Sequence, residues 1–312
     1  SPQQPNVTSY DATIVAVVII EAFAGMWINA FIFSVLCMAW IKKKTLNSNA
    51  KILLLLACSR FWYLCIGWVY YFLSIIYPKY LHVRPIFPLV ESAQSFLNCS
   101  NFWVSACLCV FYCIKIANFR NSFFIYLKVK IDRIVPWILV GSLLSSLVVG
   151  ILVYDVTDNA LCKTLNLTCQ GIIWKSSIRL EEHFLSSFFI IGFVFGISFM
   201  AVIFSALLLL FSLWRHKSNM QTNSMKDLSM DAHIKAMKSI LSFLVMYSIN
   251  LICFILPLAY VMKGQTKVIF LMYAFQYAFP GVHSLILICS NPRLEKSLLS
   301  ILSCVKCKVC MK

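Results

Sequence analysis

The sequence predicts an all-α membrane protein: a seven-transmembrane-helix bundle followed by a short amphipathic cytoplasmic helix. Three observations carry that reading. Of 312 residues, 61% are hydrophobic and only 12% charged, whereas a soluble globular chain has about 25% charged residues. Seven apolar runs are long enough to cross a hydrocarbon core of about 30 Å. The basic residues between those runs fall mostly on alternate loops, which assigns each loop a side of the membrane.

The runs are 13–40, 52–77, 86–114, 134–154, 184–214, 239–262 and 266–290. The first is too long for the apolar core of a signal peptide and follows a polar start, so it reads as a retained span. The third is the least continuous, with Glu91, Gln94, Asn98 and Asn101 in its first half. A helix lining a polar cavity has that composition. Loops 41–51, 115–133 and 215–238 and the tail 291–312 hold nineteen Lys and Arg, against seven on the other side. The more basic side faces the cytoplasm, so the N-terminus is expected outside. Three regions follow: an extracellular N-terminus 1–12, a seven-transmembrane bundle 13–290, and a cytoplasmic helix and Cys/Lys-rich tail 291–312.

Net charge is +16. In a soluble chain that would suggest nucleic acid; here it is topogenic charge, and no nucleic-acid partner is expected. Basic inner loops also suit anionic membrane lipids. Two glycosylation triplets, starting at Asn6 and Asn166, lie on the expected outer side. A third, at Asn98, lies inside a span and is sterically closed.

Most of the fourteen cysteines lie in apolar runs, where a thiol is a small hydrophobe. Cys162 and Cys169 share one outer loop and could close it as a disulfide. Cys304, Cys307 and Cys310 have metal-like spacing but supply only three ligands. Flanking Lys306 and Lys308 fit S-palmitoylation better. No metal or other cofactor is expected, nor is catalysis: the five histidines are scattered, and no hydrolase, zinc-protease or phosphate-loop motif occurs. Gly192 and Gly196 form a G-x-x-x-G, which permits close helix contact.

Charged and polar residues inside spans are expensive and mark function or a polar network. Arg60 lies about 13 Å along span two from Lys51. Asn29 and Ser284 sit at comparable depth in spans one and seven. The reading is a buried Arg60–Asn29–Ser284 cluster, with Arg60 snorkelling alone as the alternative. A second polar set, Glu21, Glu91, Gln94, Asn98, Asn250, Tyr273 and Gln276, lies in the outer halves of spans. A pocket with apolar walls and a few polar groups suits small amphipathic ligands; the alternative is that these residues only join helices.

Span three ends Phe111-Tyr112-Cys113-Ile114-Lys115-Ile116-Ala117-Asn118-Phe119, followed by Phe124, Leu127, Lys128 and Ile131. Span one carries Gly25-x-x-x-Asn29-Ala30-Phe31-Ile32, and span two Leu56-Ala57-Cys58-Ser59-Arg60. Span five ends Ser212-Leu213-Trp214-Arg215-His216, span six opens at His233-Ile234-Lys235, and span seven ends His283-Ser284-Leu285 with Asn291-Pro292-Arg293-Leu294. This ordered set resembles the type 2 (bitter) taste receptors. Departures are Ser198-Phe199 where that family has Pro-Phe, Glu295 where a basic residue is usual, and Gln94 where many members have Trp.

The resemblance implies a G-protein-coupled chemosensor for small, often bitter molecules, acting on a gustducin-like or other Gi-type heterotrimer. It implies ligand contacts at Tyr71, Gln94, Asn98, Asn250 and Tyr273. It implies G-protein contacts at Tyr112, Lys115, Ile116, Asn118, Phe119, His216, His233 and Lys235. A type 1 vomeronasal-like receptor differs in the span-three signature. A small-molecule transporter or channel is the alternative of another class, and lacks a filter sequence or repeated halves.

Overall fold

A computed structural model describes residues 9–76, 85–117, 121–164, 180–221, 240–253, 256 and 266–310. Among them the chain is helical, without strands. The helices are α1 (Ser9–Lys43), α2 (Ser48–Ile76), α3 (Ile86–Ile116), α4 (Ser122–Thr164), α5 (Leu180–Gln221), α6 (Ile240–Cys253), α7 (Thr266–Ser290) and α8 (Pro292–Cys310). α1 to α5 each contain a stretch long and apolar enough to cross a membrane; α6 and α7 contribute shorter apolar stretches, Ile240–Cys253 and Ala274–Ser290. Large apolar side chains such as Trp27, Trp137, Phe193, Met200 and Phe204 are more than half exposed. Hydrocarbon, not water, is the solvent such a surface matches.

Several helices outrun the apolar runs. The 134–154 run becomes the 43-residue α4, so much of the expected inner loop 115–133 is helical. The backbone ladder needs no hydrocarbon to continue, and the added turns are anchored: Ile131 is buried and Leu127 packs on the same core as Leu56, Leu108 and Val135. α1 stops at Lys44, which has φ 54° and donates its N–H to Trp40 O at 2.7 Å. This is a left-handed helix cap, the place where glycine is usual. Lys44→Gly is expected to raise stability by about 0.5–1 kcal/mol, read from the thermal midpoint of the purified protein.

α3 is the central helix. Of its most apolar 18-residue stretch 72% is buried, against 28–50% in α1, α2, α4 and α5, and it packs on α2, α4 and α5. Its polar residues therefore face protein, which is why its hydropathy is low. α6 runs antiparallel to it: Ile240 packs near Cys113 and Ala117, and Tyr247 meets Phe102. α1 and α7 touch through glycines, with a Cβ on Gly25 falling 3.6 Å from Gly281 Cα and one on Gly281 falling 3.3 Å from Gly25 Cα. The Gly192 and Gly196 pair behaves differently. A Cβ on either would meet nothing within 4 Å, so the motif makes no close contact among the described residues.

Candidate functional site

The largest fully buried side chain among the described residues is the polar Arg60, 0% exposed, on α2. Its Nε donates to Asn101 Oδ1 at 2.8 Å, Nη1 to Ser284 Oγ at 2.9 Å and Nη2 to Ser105 Oγ at 3.2 Å. Nη2 also meets His283 Nδ1. An arginine has only donors, so His283 accepts there, which fixes a neutral ring with its proton on Nε2. Ser284 Oγ donates in turn to Asn29 Oδ1 at 2.7 Å, and Asn29 Nδ2 donates to Gly25 O at 2.8 Å. The guanidinium also lies 5.6 Å from the Phe279 ring centroid.

The structure thus brings Asn29, Arg60 and Ser284 into one chain of hydrogen bonds joining α1, α2 and α7. It adds three members the sequence reading missed. Asn101 and Ser105 are four apart on α3, one face of a helix, and His283 adjoins Ser284. The described residues give Arg60 no carboxylate; the acceptors they offer its charge are neutral.

A second cluster lies further from the Ala117 end of α3. Tyr277 OH donates to Gln94 Oε1 at 3.0 Å. Its ring stacks on Tyr63 at 5.4 Å and meets Tyr71 edge-on at 5.5 Å. Gln94 and Tyr71 are therefore joined through a residue that was not anticipated, although Tyr277 is one turn from Tyr273 on the same helix. Gly67 makes the slot for that ring, because any Cβ there would collide with it.

Asn98 and Asn250 are 3% and 2% exposed. Asn98 Nδ2 and Asn250 Oδ1 find no hydrogen-bond partner among the described residues. Buried polar atoms are nearly always satisfied, and an exception needs a reason. Between these layers, Phe102, Phe195 and Tyr247 form an aromatic contact of α3, α5 and α6, with centroids 5.0–5.1 Å apart. Ser198 takes part in it. Its Oγ donates to Phe195 O at 2.8 Å and accepts from Tyr247 OH at 3.2 Å, so α5 runs unbroken through a position where resemblance led one to expect proline.

At the Ala117 end, Lys115 Nζ pairs with Asp132 Oδ2 at 2.7 Å, tying α3 to α4. Ser48 Oγ donates to Asp132 O at 3.4 Å, and Lys128 Nζ to Ala117 O at 3.3 Å. Tyr112 is half-buried against the core and Ile116 is exposed. Asn118, Phe119, His233, Lys235, Asn6, Asn166 and Cys169 lie outside the described residues, as do the side chains of His216, Tyr273, Cys304, Cys307 and Cys310.

The family model for Taste receptor protein (TAS2R) matches residues 7–306. The chain belongs to the taste receptor type 2 family. It is 31% identical over 291 residues to taste receptor type 2 member 9 of Homo sapiens, covering 92% of each chain. It is 33% identical to member 114 of Mus musculus over 92% of each chain, and 33% identical to member 40 of Gallus gallus over 94% of this chain and 96% of that one. Taste receptors are G-protein-coupled receptors and not enzymes. This taste receptor is a multi-pass membrane protein, and the vomeronasal and transporter readings are set aside.

Proposed function

We propose that this taste receptor crosses the membrane seven times, with its N-terminus outside and its tail inside, and detects small, bitter molecules. The agonist binds in the outer half of the bundle, against Tyr71, Gln94, Asn98, Asn250 and Tyr273. The observation that carries this reading is the pair of buried amide atoms on Asn98 and Asn250 that have no partner among the described residues, within a family whose members are receptors. Asn29, Arg60 and Ser284 hold the frame. The inner ends, with Tyr112, Lys115, Ile116, Asn118, Phe119, His216, His233 and Lys235, contact a gustducin-like or other Gi-type G protein, and the basic loops rest on anionic lipid. α8 lies along the inner membrane surface: Leu294 and Leu298 anchor it to the bundle, while Arg293 and Lys296 are exposed. Thioacylation at Cys304, Cys307 and Cys310, glycosylation at Asn6 and Asn166, and a Cys162–Cys169 bridge complete the reading.

Agonist acts by population shift, and only through tighter binding to the active bundle. The test is nucleotide exchange on a co-expressed Gα, using variants matched for surface level. Asn98→Ala is expected to weaken agonist potency about tenfold, the effect of about 1.4 kcal/mol. Lys115→Ala is expected to lower maximal exchange. Asp132→Asn separates two roles for Lys115. If Lys115 touches the G protein, releasing it from Asp132 preserves or raises exchange; if it only holds α4, both variants lose exchange equally. Unchanged potency and efficacy in both Asn98→Ala and Lys115→Ala would refute the assignments.

A further inference from the structure

Asn98 and Asn250 face the same layer of the bundle, which follows from their neighbours. Phe102 and Tyr247 are in ring contact at 5.1 Å, and Tyr247 OH reaches Phe102 O at 3.4 Å. Asn98 is four residues before Phe102, hence on its face of α3 and about 6 Å along the axis. Asn250 is three residues after Tyr247, on its face of α6 and about 4.5 Å along. Because α3 and α6 are antiparallel, both steps lead the same way, away from the Ala117 and Ile240 ends. One turn beyond the aromatic contact, the helices thus present a buried donor and a buried acceptor, neither with a partner among the described residues. Ser100 and Trp103 also carry buried atoms without a partner among the described residues, but at about 100° per residue they lie on other faces of α3.

The chemistry of that pair selects its occupant by satisfiability. A carboxylate only accepts, so it would pair Asn98 Nδ2 and leave Asn250 Oδ1 facing negative charge. An ammonium only donates, so it would pair Asn250 and leave Asn98 unmet. It would also sit in the layer next to Arg60, whose contacts Asn101 and Ser105 are three and seven residues along α3 from Asn98. That guanidinium has no carboxylate among the described residues, and like charges in a low-dielectric interior repel strongly. One neutral group that both accepts and donates satisfies both asparagines. We propose that the agonists of this receptor are uncharged molecules bearing a hydroxyl or an N–H amide, which bridges Asn98 on α3 to Asn250 on α6. The inference rests on the ligand site proposed above and adds the class of ligand.

The test uses matched sets on one-, two- and three-ring aromatic skeletons: the primary carboxamide, its N,N-dimethyl amide, the carboxylate and the methylammonium, beginning with benzamide, N,N-dimethylbenzamide, benzoate and benzylammonium. Binding is read as ligand-induced thermal shift of the purified receptor, and signalling as Gα nucleotide exchange. On at least one skeleton the primary amide is expected to bind, at least tenfold more tightly than the ions. Asn98→Asp, which makes both positions acceptors, is expected to reverse the ranking of amide and ammonium. Asn250→Leu covers the case in which a buried Asp prevents folding: without the acceptor, the dimethyl amide should match the primary amide. An ion that equals or exceeds its amide, rankings unchanged in the folded variants, or no binding anywhere in the panel overturns the proposal. Exchange driven by an agonist of other chemistry would leave the receptor reading standing. Binding in the expected order with no exchange on any Gα would sink the receptor reading and leave the ligand class intact.

Discussion

Arg60→Met is expected to remove most of the receptor from the cell surface and to lower the thermal midpoint of what remains. Methionine fills much of the arginine's volume, so the effect isolates the lost donors. Asn101, Ser105, Ser284 and His283 each lose the guanidinium as partner. An unsatisfied buried group costs about 1–3 kcal/mol, a large share of a typical total stability of about 5–15 kcal/mol. The complementary change, Ser284→Ala, keeps the charge but strips its Nη1 acceptor and Asn29's donor. Losing one hydrogen bond to a buried charged group costs about 1.5–3 kcal/mol. Surface labelling and thermal unfolding in detergent read both. Near wild-type behaviour of the two variants would show that the guanidinium is solvated some other way.

The second large effect is expected at Gly67. A Cβ added there would lie 2.7 Å from Tyr277 Cζ and closer still to Cε1 and the hydroxyl oxygen. Tyr277 cannot simply swing away, because it is stacked on Tyr63, set against Tyr71 and bonded to Gln94. Overpacking of this kind costs about 1–3 kcal/mol, and Gly67→Ala should also disturb Gln94 and so weaken agonist potency. Gly192→Ala is the control. Its added methyl enters open space, and removing a glycine from a helix interior should stabilise by about 0.5–1 kcal/mol. Equal midpoints for the two variants would contradict the close fit at Gly67.

The sequence carried the all-helical membrane class because hydropathy and charge are sums over many residues and survive ignorance of detail. It carried the identity of Arg60, Asn29 and Ser284 because charge and depth along an apolar run can be read by counting. It did not reveal Asn101, Ser105 or His283, since choosing a guanidinium's partners requires the rotation of each helix about its axis. Tyr277 was invisible for a related reason. An aromatic ring in an apolar run gives no signal until a glycine on a neighbouring helix, here Gly67, makes room for it. The ends of α4 were misjudged because an apolar run measures hydrocarbon, whereas a helix ends where backbone bonding and packing end. The Lys44 cap was missed because the usual glycine is absent.

The Arg60 cluster also bears on how the chain is made. Ser284 lies 224 residues after Arg60 and His283 lies 223 after. At about 5–20 residues per second, the ribosome needs roughly ten to forty-five seconds to supply them. Through that interval the nascent chain holds a cation in the bilayer whose last acceptors do not yet exist. Completion of α7 is therefore the event that completes the guanidinium's set of acceptors, and a chain stopped short of it leaves that buried charge with Asn101 and Ser105 but without Ser284 and His283.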